Sequence, residues 1–163
     1  MRKLRNPFDQ LPGYYCFGCS QENHNGLQMT FYEDGDEVVS TWNPEKHFQG
    51  YMNIVHGGVQ STLMDEIASW VVFIKLRTGG VTSRLNSRFR KPVLISDGPV
   101  TVRARLKNNK GRIAEIEVSL FNGKGELCSE SLAEYFILSR EKAAETMSFP
   151  DTEAFYEQPR DNT

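Results

Sequence analysis

The segment His56-Gly57-Gly58, running into the apolar stretch from Val59 to Leu76, leaves this chain the fewest ways to fold. Two glycines lead into a run of helical length whose only acids are Asp65 and Glu66, and Thr78-Gly79-Gly80 follows as a stop signal. A helix that is apolar nearly all round is buried. A carboxylate two turns inside it is destabilising unless it is paired or put to use. Asp65 is therefore the first candidate for a functional group.

Helix geometry supplies a second candidate. The free backbone N–H groups at a helix start near Gly58 form a partly positive donor site, and glycines let a substrate oxygen approach closely. Asp65 shares a face with Gly58, seven residues earlier, but at about 1.5 Å per residue the two lie roughly 10 Å apart. For both to act on one group, the simplest arrangement is a symmetric dimer in which Gly57 and Gly58 of one copy face Asp65 of the other.

The chain has 163 residues, enough for one domain with one substantial core. Its 25% charged and 39% apolar residues are ordinary for a soluble protein, and a net charge of -2 gives no general pull toward nucleic acid. No stretch reaches the roughly 20 apolar residues of a membrane span. The basic start Met1-Arg2-Lys3-Leu4-Arg5 lacks the apolar run of a signal peptide. With an odd count of three cysteines, a reducing, cytoplasmic setting is expected.

In order, residues 1–26 read as an irregular arm, 27–139 as the folded domain and 140–163 as a polar, flexible tail in which 141–145 reads as helical. The arm holds Cys16-Phe17-Gly18-Cys19, with His24 five residues on. A closed zinc site needs four ligands, and the remaining cysteine, Cys128, falls in an expected strand; the pair also does not open a helix after a strand, as a thioredoxin-like motif would. Packing cysteines in a tucked arm are the expected reading. Residues 27–33 and 37–43 read as two strands joined by Asp34-Gly35-Asp36, and a loop over 43–55 delivers the chain to His56. Beyond the helix, four strands alternate. Thr82, Arg84, Asn86, Arg88 and Arg90 are expected on one face of the first, opposite Val81, Ser83, Leu85, Ser87 and Phe89. The next two place Val100, Val102, Ala104 and Leu106, then Ala114, Ile116, Val118 and Leu120, on an apolar face, and 126–138 forms the last. The result is an α+β domain whose antiparallel sheet wraps one long central helix.

That element order, with His56-Gly57-Gly58 at the helix start and Asp65 nine residues after the histidine, resembles the hotdog-fold acyl-CoA thioesterases. It is most similar to the phenylacetic-acid-pathway branch of the 4-hydroxybenzoyl-CoA thioesterase superfamily. The resemblance covers roughly residues 14–139, including Cys16-Phe17-Gly18-Cys19, Asn25-Gly26-Leu27, 47–66 and 81–92.

The resemblance implies that the N–H groups of Gly57 and Gly58 polarise a thioester carbonyl. It implies Asp65 as general base or nucleophile, Thr82 as the hydroxyl that places water, and His56 as the residue that orients the loop and bonds substrate. It further implies coenzyme A as part of the substrate rather than as a cofactor, no metal, and a homodimer that pairs into a tetramer. Many relatives carry an amide at the position of Gly50; Gln49 and Asn53 stand close enough in sequence to substitute. Glu66 competes with Asp65 but points about 100° away from the Gly58 face. Arg84, Arg88, Arg90 and Lys91 suit the phosphates of CoA, and suit equally a solvated face paired with Glu115 and Glu117. Trp70, Phe73 and Ile74 read as core rather than as an acyl tunnel. Other readings are an acyl-CoA-binding protein without turnover and a hotdog hydratase or dehydratase. A DNA-binding regulator would need a helix-turn-helix that has no place in this sequence.

Overall fold

The computed structural model describes residues 1–157. The strands are β1 (Arg2–Lys3), β2 (Tyr32–Asp34), β3 (Glu37–Trp42), β4 (Gly80–Phe89), β5 (Val100–Lys110), β6 (Ile113–Phe121) and β7 (Leu127–Ile137), and the helices are α1 (Gly57–Val71) and α2 (Arg140–Met147). The strands form one antiparallel sheet in the order β1-β2-β3-β5-β6-β7-β4, so β4 is an edge.

The expected alternation holds on β5 and β6. Val102, Ala104, Ala114, Ile116, Val118 and Leu120 are buried while their neighbours reach solvent. Against this face lies α1, burying Leu63, Met64, Ile67, Ala68, Trp70 and Val71. Each of the larger side chains contributes about 1.5–3 kcal/mol by leaving water, and this is what holds the helix across the sheet. No helix among the described residues is long and apolar enough to cross a membrane.

Four local expectations change. The first strand is short: Leu27, Met29 and Phe31 are buried, but the N–H groups of Leu27 and Met29 donate to Phe17 and Gly18 carbonyls of the cysteine loop instead of extending β2. The central helix ends before Thr78-Gly79-Gly80 as expected, but its last turn, over Val72–Leu76, is a π turn, and the residue that closes it is Arg77, in the left-handed region at φ 56°, rather than a glycine. Gly80 is needed for closeness, since a Cβ there would lie 2.9 Å from the Phe136 carbonyl oxygen. Third, β4 carries a bulge at Ser83, between the pairs Thr82–Tyr135 and Arg84–Glu134. One extra residue inverts the period of two, so Thr82 faces the helix while Arg84, two residues on, faces outward, and Val81 leaves the Leu85 face.

The fourth change concerns the termini. The helix expected over 141–145 is present as α2, capped by the Ser139 hydroxyl, but residues 148–157 are not a loose tail: a turn over Thr152–Phe155 follows, and Phe149 and Phe155 are buried. Phe155 packs within 6 Å, ring centre to ring centre, of Phe8, Trp70, Phe73 and Phe149. The arm joins the same cluster, because the N–H of Arg5 donates to the Phe155 carbonyl at 2.9 Å and Leu4 pairs with Tyr156. Residues 158–163, the rest of the expected tail, lie outside the described residues.

Candidate active site

Asp65 sits on the third turn of α1, where its carboxylate meets the β4–β7 end of the sheet. Its Oδ1 accepts hydrogen bonds from the Tyr135 hydroxyl at 2.6 Å and the Thr82 hydroxyl at 2.8 Å. Tyr135 also reaches the Asp65 backbone carbonyl at 2.8 Å. Thr82 and Tyr135 are directly opposite on paired strands, and only the Ser83 bulge lets Thr82 point inward beside Arg84 pointing out. Tyr135 is buried, and its burial, followed by the charge of Asp65, pushes the phenol far above its ordinary value. It therefore stays protonated and donates. Two donors on Oδ1 fix the carboxylate's rotamer, while Oδ2 accepts no hydrogen bond among the described residues.

Nothing in the residue pattern alone marks Tyr135 as a site residue. Its signal lay in the inward register of β7, where Ser129, Ser131 and Ala133 are small and the next inward residue carries a hydroxyl that needs an acceptor.

At the helix start, His56 is the N-cap, and its Nδ1 accepts the Gly58 N–H at 2.9 Å. The Gly58 donor is thus already used within the chain, contrary to the expectation that both glycines offer theirs. The N–H of Gly57 makes no hydrogen bond among the described residues and borders a cavity of about 460 Å³ lined by Gly50, Tyr51, Ile54, Val55, His56 and Gly57. Helical rise puts Gly57 more than about 10 Å from Asp65 along α1. A single copy therefore holds the acid and the free N–H at separate places.

The loop before α1 is tied down by its own backbone and by a buried amide. The Val55 N–H donates to Val93 and the His56 N–H to Phe48, both at 2.9 Å. Gln60, buried, donates to the Val55 carbonyl at 2.9 Å and accepts from Ser129 at 2.5 Å. Asn53 spends both ends of its amide on Ser96, at 2.9 and 3.0 Å, and Gln49 accepts the Asn53 N–H at 3.1 Å. Neither lines the cavity beside Gly57. Position 50 has little room for an amide, since a Cβ there would lie 3.3 Å from His56 Cδ2.

Glu66 does not join Asp65. It turns to the arm, where both its oxygens lie 3.7 Å from Cys16 Sγ. Cys16, Cys19 and Glu66 place their ligating atoms within 4.8 Å of one another, the one such group among the described residues. Burial, then the Cys16 charge, pushes the Glu66 carboxyl up to about 7. The Cys16 thiol is brought down to about 5, chiefly by its hydrogen bond with Cys19, whose own thiol is pushed up by that bond and by burial.

The basic cluster divides. Arg84 pairs with Glu134 at 3.2 Å, Arg90 with Glu130 at 2.6 Å and Lys91 with Glu126 at 3.1 Å. These partners lie on β7 or just before it. Glu117, expected opposite β4, instead pairs with Arg105 and Lys107, because β6 lies between β5 and β7 and never touches β4. Arg88 makes no ion pair among the described residues and lines a second cavity, of about 680 Å³, on the outer face of the sheet.

Comparison with known proteins bears on this arrangement. Residues 52–129, slightly under half of the chain, match the family profile described as Thioesterase superfamily. A Saccharolobus solfataricus protein with a provisional esterase name is 32% identical over 94 residues, 57% of this chain and 61% of that one. The chain spans less than two thirds of each curated relative it matches. Among solved structures, a Haemophilus influenzae thioesterase superposes with a TM-score of 0.67 at 22% identity, covering 74% of this chain and 85% of the other. A hypothetical thioesterase of Streptococcus pneumoniae, solved with coenzyme A, gives 0.63 at 22% identity over 69% and 87%. The fold of this chain is thus the hotdog fold of its thioesterase neighbours.

Proposed function

We propose that this chain is an acyl-CoA thioesterase, hydrolysing a thioester to a free acid and CoA. The observation that carries the reading is the Asp65 carboxylate, with Oδ1 clamped by Tyr135 and Thr82 and Oδ2 free. A carboxylate held this way acts either as general base on water or as nucleophile at the thioester carbon. In the first route Oδ2 takes a proton from water as its oxygen attacks, negative charge gathers on the carbonyl oxygen, and the CoA thiolate leaves. An N–H at a helix start is suited to that oxygen, and here Gly57 is the free one. His56 sets the helix start by its cap, and the residue lines the same cavity as Gly57.

Because Asp65 and Gly57 stand apart within one copy, the reading requires a homodimer in which each site takes Asp65 from one protomer and Gly57 from its partner. The edge position of β4, with Val81 and Phe89 half exposed, suits pairing between copies, and two dimers can associate further into a tetramer. Arg88, free of ion pairs among the described residues, is the residue assigned to a CoA phosphate, with Arg84 and Arg90 held in reserve by their glutamates. The Streptococcus pneumoniae neighbour solved with coenzyme A supports that substrate class, and three free cysteines support a cytoplasmic setting.

Thiol release from a panel of short, long and aromatic acyl-CoAs tests the reading, the aromatic members because of the resemblance to the phenylacetic-acid branch. Turnover is expected on some member, and Asp65→Asn is expected to lower it by about 10²–10⁴-fold while binding persists. Tight acyl-CoA binding with no thiol released from any member would replace the enzyme with a binding protein.

A further inference from the structure

We propose that Cys16, Cys19 and Glu66 form a binding site for a thiophilic divalent cation, with zinc the ion that suits the donor set. The sequence places the two cysteines in a Cys-x-x-Cys turn, and the fold brings them a third donor from 50 residues away on the central helix. Cys128, the remaining cysteine, is buried elsewhere in β7 and lies near the Pro92 carbonyl; His24 bonds to Gln28.

The dimensions fit. Zn–S bonds of about 2.3 Å and Zn–O bonds of about 2.1 Å at a tetrahedral angle separate sulfur from oxygen by about 3.6 Å. Cys16 Sγ lies 3.7 Å from each Glu66 oxygen, and all three ligating groups fall within 4.8 Å of one another. A cation fits between them without moving an element.

The surroundings point the same way. Glu66 is partly buried with no Lys or Arg partner, and so no protein counter-ion, among the described residues. Cys19 Sγ has the Tyr14 hydroxyl at 3.2 Å and the Asn6 amide nitrogen at 3.4 Å, the kind of outer donors that orient a metal thiolate. The indole N–H of Trp70, one helical turn beyond Glu66, is buried with no hydrogen-bond partner among the described residues. Gly18 sits so close to the Glu66 carboxylate that any side chain there would collide with it. The turn is shaped around that acid. With three protein donors, the fourth position of a tetrahedral ion is left to water. Bound metal would fasten the arm to α1 one residue from Asp65, and it would act on the fold whether or not the chain hydrolyses thioesters.

The test is titration of the reduced, metal-free full chain with Co²⁺, followed by competition with Zn²⁺. Thiolate-to-cobalt charge-transfer absorption saturating at one ion per chain is expected, with Zn²⁺ displacing it and raising the melting temperature. Cys16→Ser and Cys19→Ser should abolish the band, Glu66→Gln should weaken binding, and Tyr14→Phe should weaken it by about 10-fold or more, as for other outer-sphere partners. If buried Cys19 proves intolerant of change, half-buried Cys16 still decides, together with protection of wild-type Cys16 from alkylation by Zn²⁺. No charge-transfer band in the wild type with its thiols reduced, or the same band in Cys16→Ser, would overturn the site.

Discussion

A single hydroxyl separates Tyr135 from phenylalanine, and at this position the hydroxyl has two acceptors on Asp65. Tyr135→Phe keeps the ring and its packing, so the fold should survive with a loss of about 1 kcal/mol in thermal unfolding. Turnover should fall by about 10-fold or more, because the carboxylate keeps only the Thr82 bond to hold its rotamer. Steady-state thiol release by Tyr135→Phe and Thr82→Val, beside Asp65→Asn, checks this: equal rates for Tyr135→Phe and wild type would show that the clamp has no part in the chemistry. At this scale the sequence exposed Asp65, since an acid in an apolar helix stands out, and His56, since it precedes two glycines. It hid Tyr135, which in a strand looks like any aromatic core residue until the helix is seen to cross beneath it.

Among the elements, β4 shows how one residue of irregularity sets a site. Read as a regular strand, it puts Thr82 and Arg84 on one face; the bulge at Ser83 separates them, sending the hydroxyl to Asp65 and the guanidinium to Glu134. Deleting Ser83 should restore the period of two and withdraw Thr82 from the acid. The expected result is a strand that still pairs with β7 but an enzyme at least as impaired as Thr82→Val, read by thiol release together with circular dichroism. Retained activity would mean that Thr82 is dispensable. The helix start is equally specific, because the His56 cap consumes the Gly58 N–H and leaves Gly57 as the donor. Capping is local, fixed by a histidine two residues before the N–H that it accepts.

At the scale of the whole molecule, the two ends of the chain close the core together. Phe8 from the arm and Phe149 and Phe155 from the C-terminal segment share one aromatic cluster with Phe73, and Phe155 also packs on Trp70 of α1. Phe155→Ala should therefore cost about 3–5 kcal/mol in denaturant unfolding, although the residue stands in a segment of polar composition. A change below about 0.5 kcal/mol, the range of a surface substitution, would show that the segment is loosely held. The proposed shared site makes a separate prediction: sedimentation should return a whole-number multiple, two or more, of the 18.6 kDa chain mass. In that case mixing inactive Asp65→Asn chains with chains disabled at the helix start should recover part of the activity, since each heterodimer rebuilds one intact site.

The sequence by itself determined the helix and its acid, the alternation of β5 and β6, and the order of elements, because periodicity, turn residues and caps act over a few neighbours along the chain. Only the tertiary structure decided which partners those elements present to each other. Tyr135 meets Asp65 across 70 residues and Cys16 meets Glu66 across 50, while β4 pairs with β7 rather than β6. Such contacts depend on which faces of packed elements come together, and a bulge of one residue or a π turn at a helix end changes that face without altering the pattern from which the elements were read.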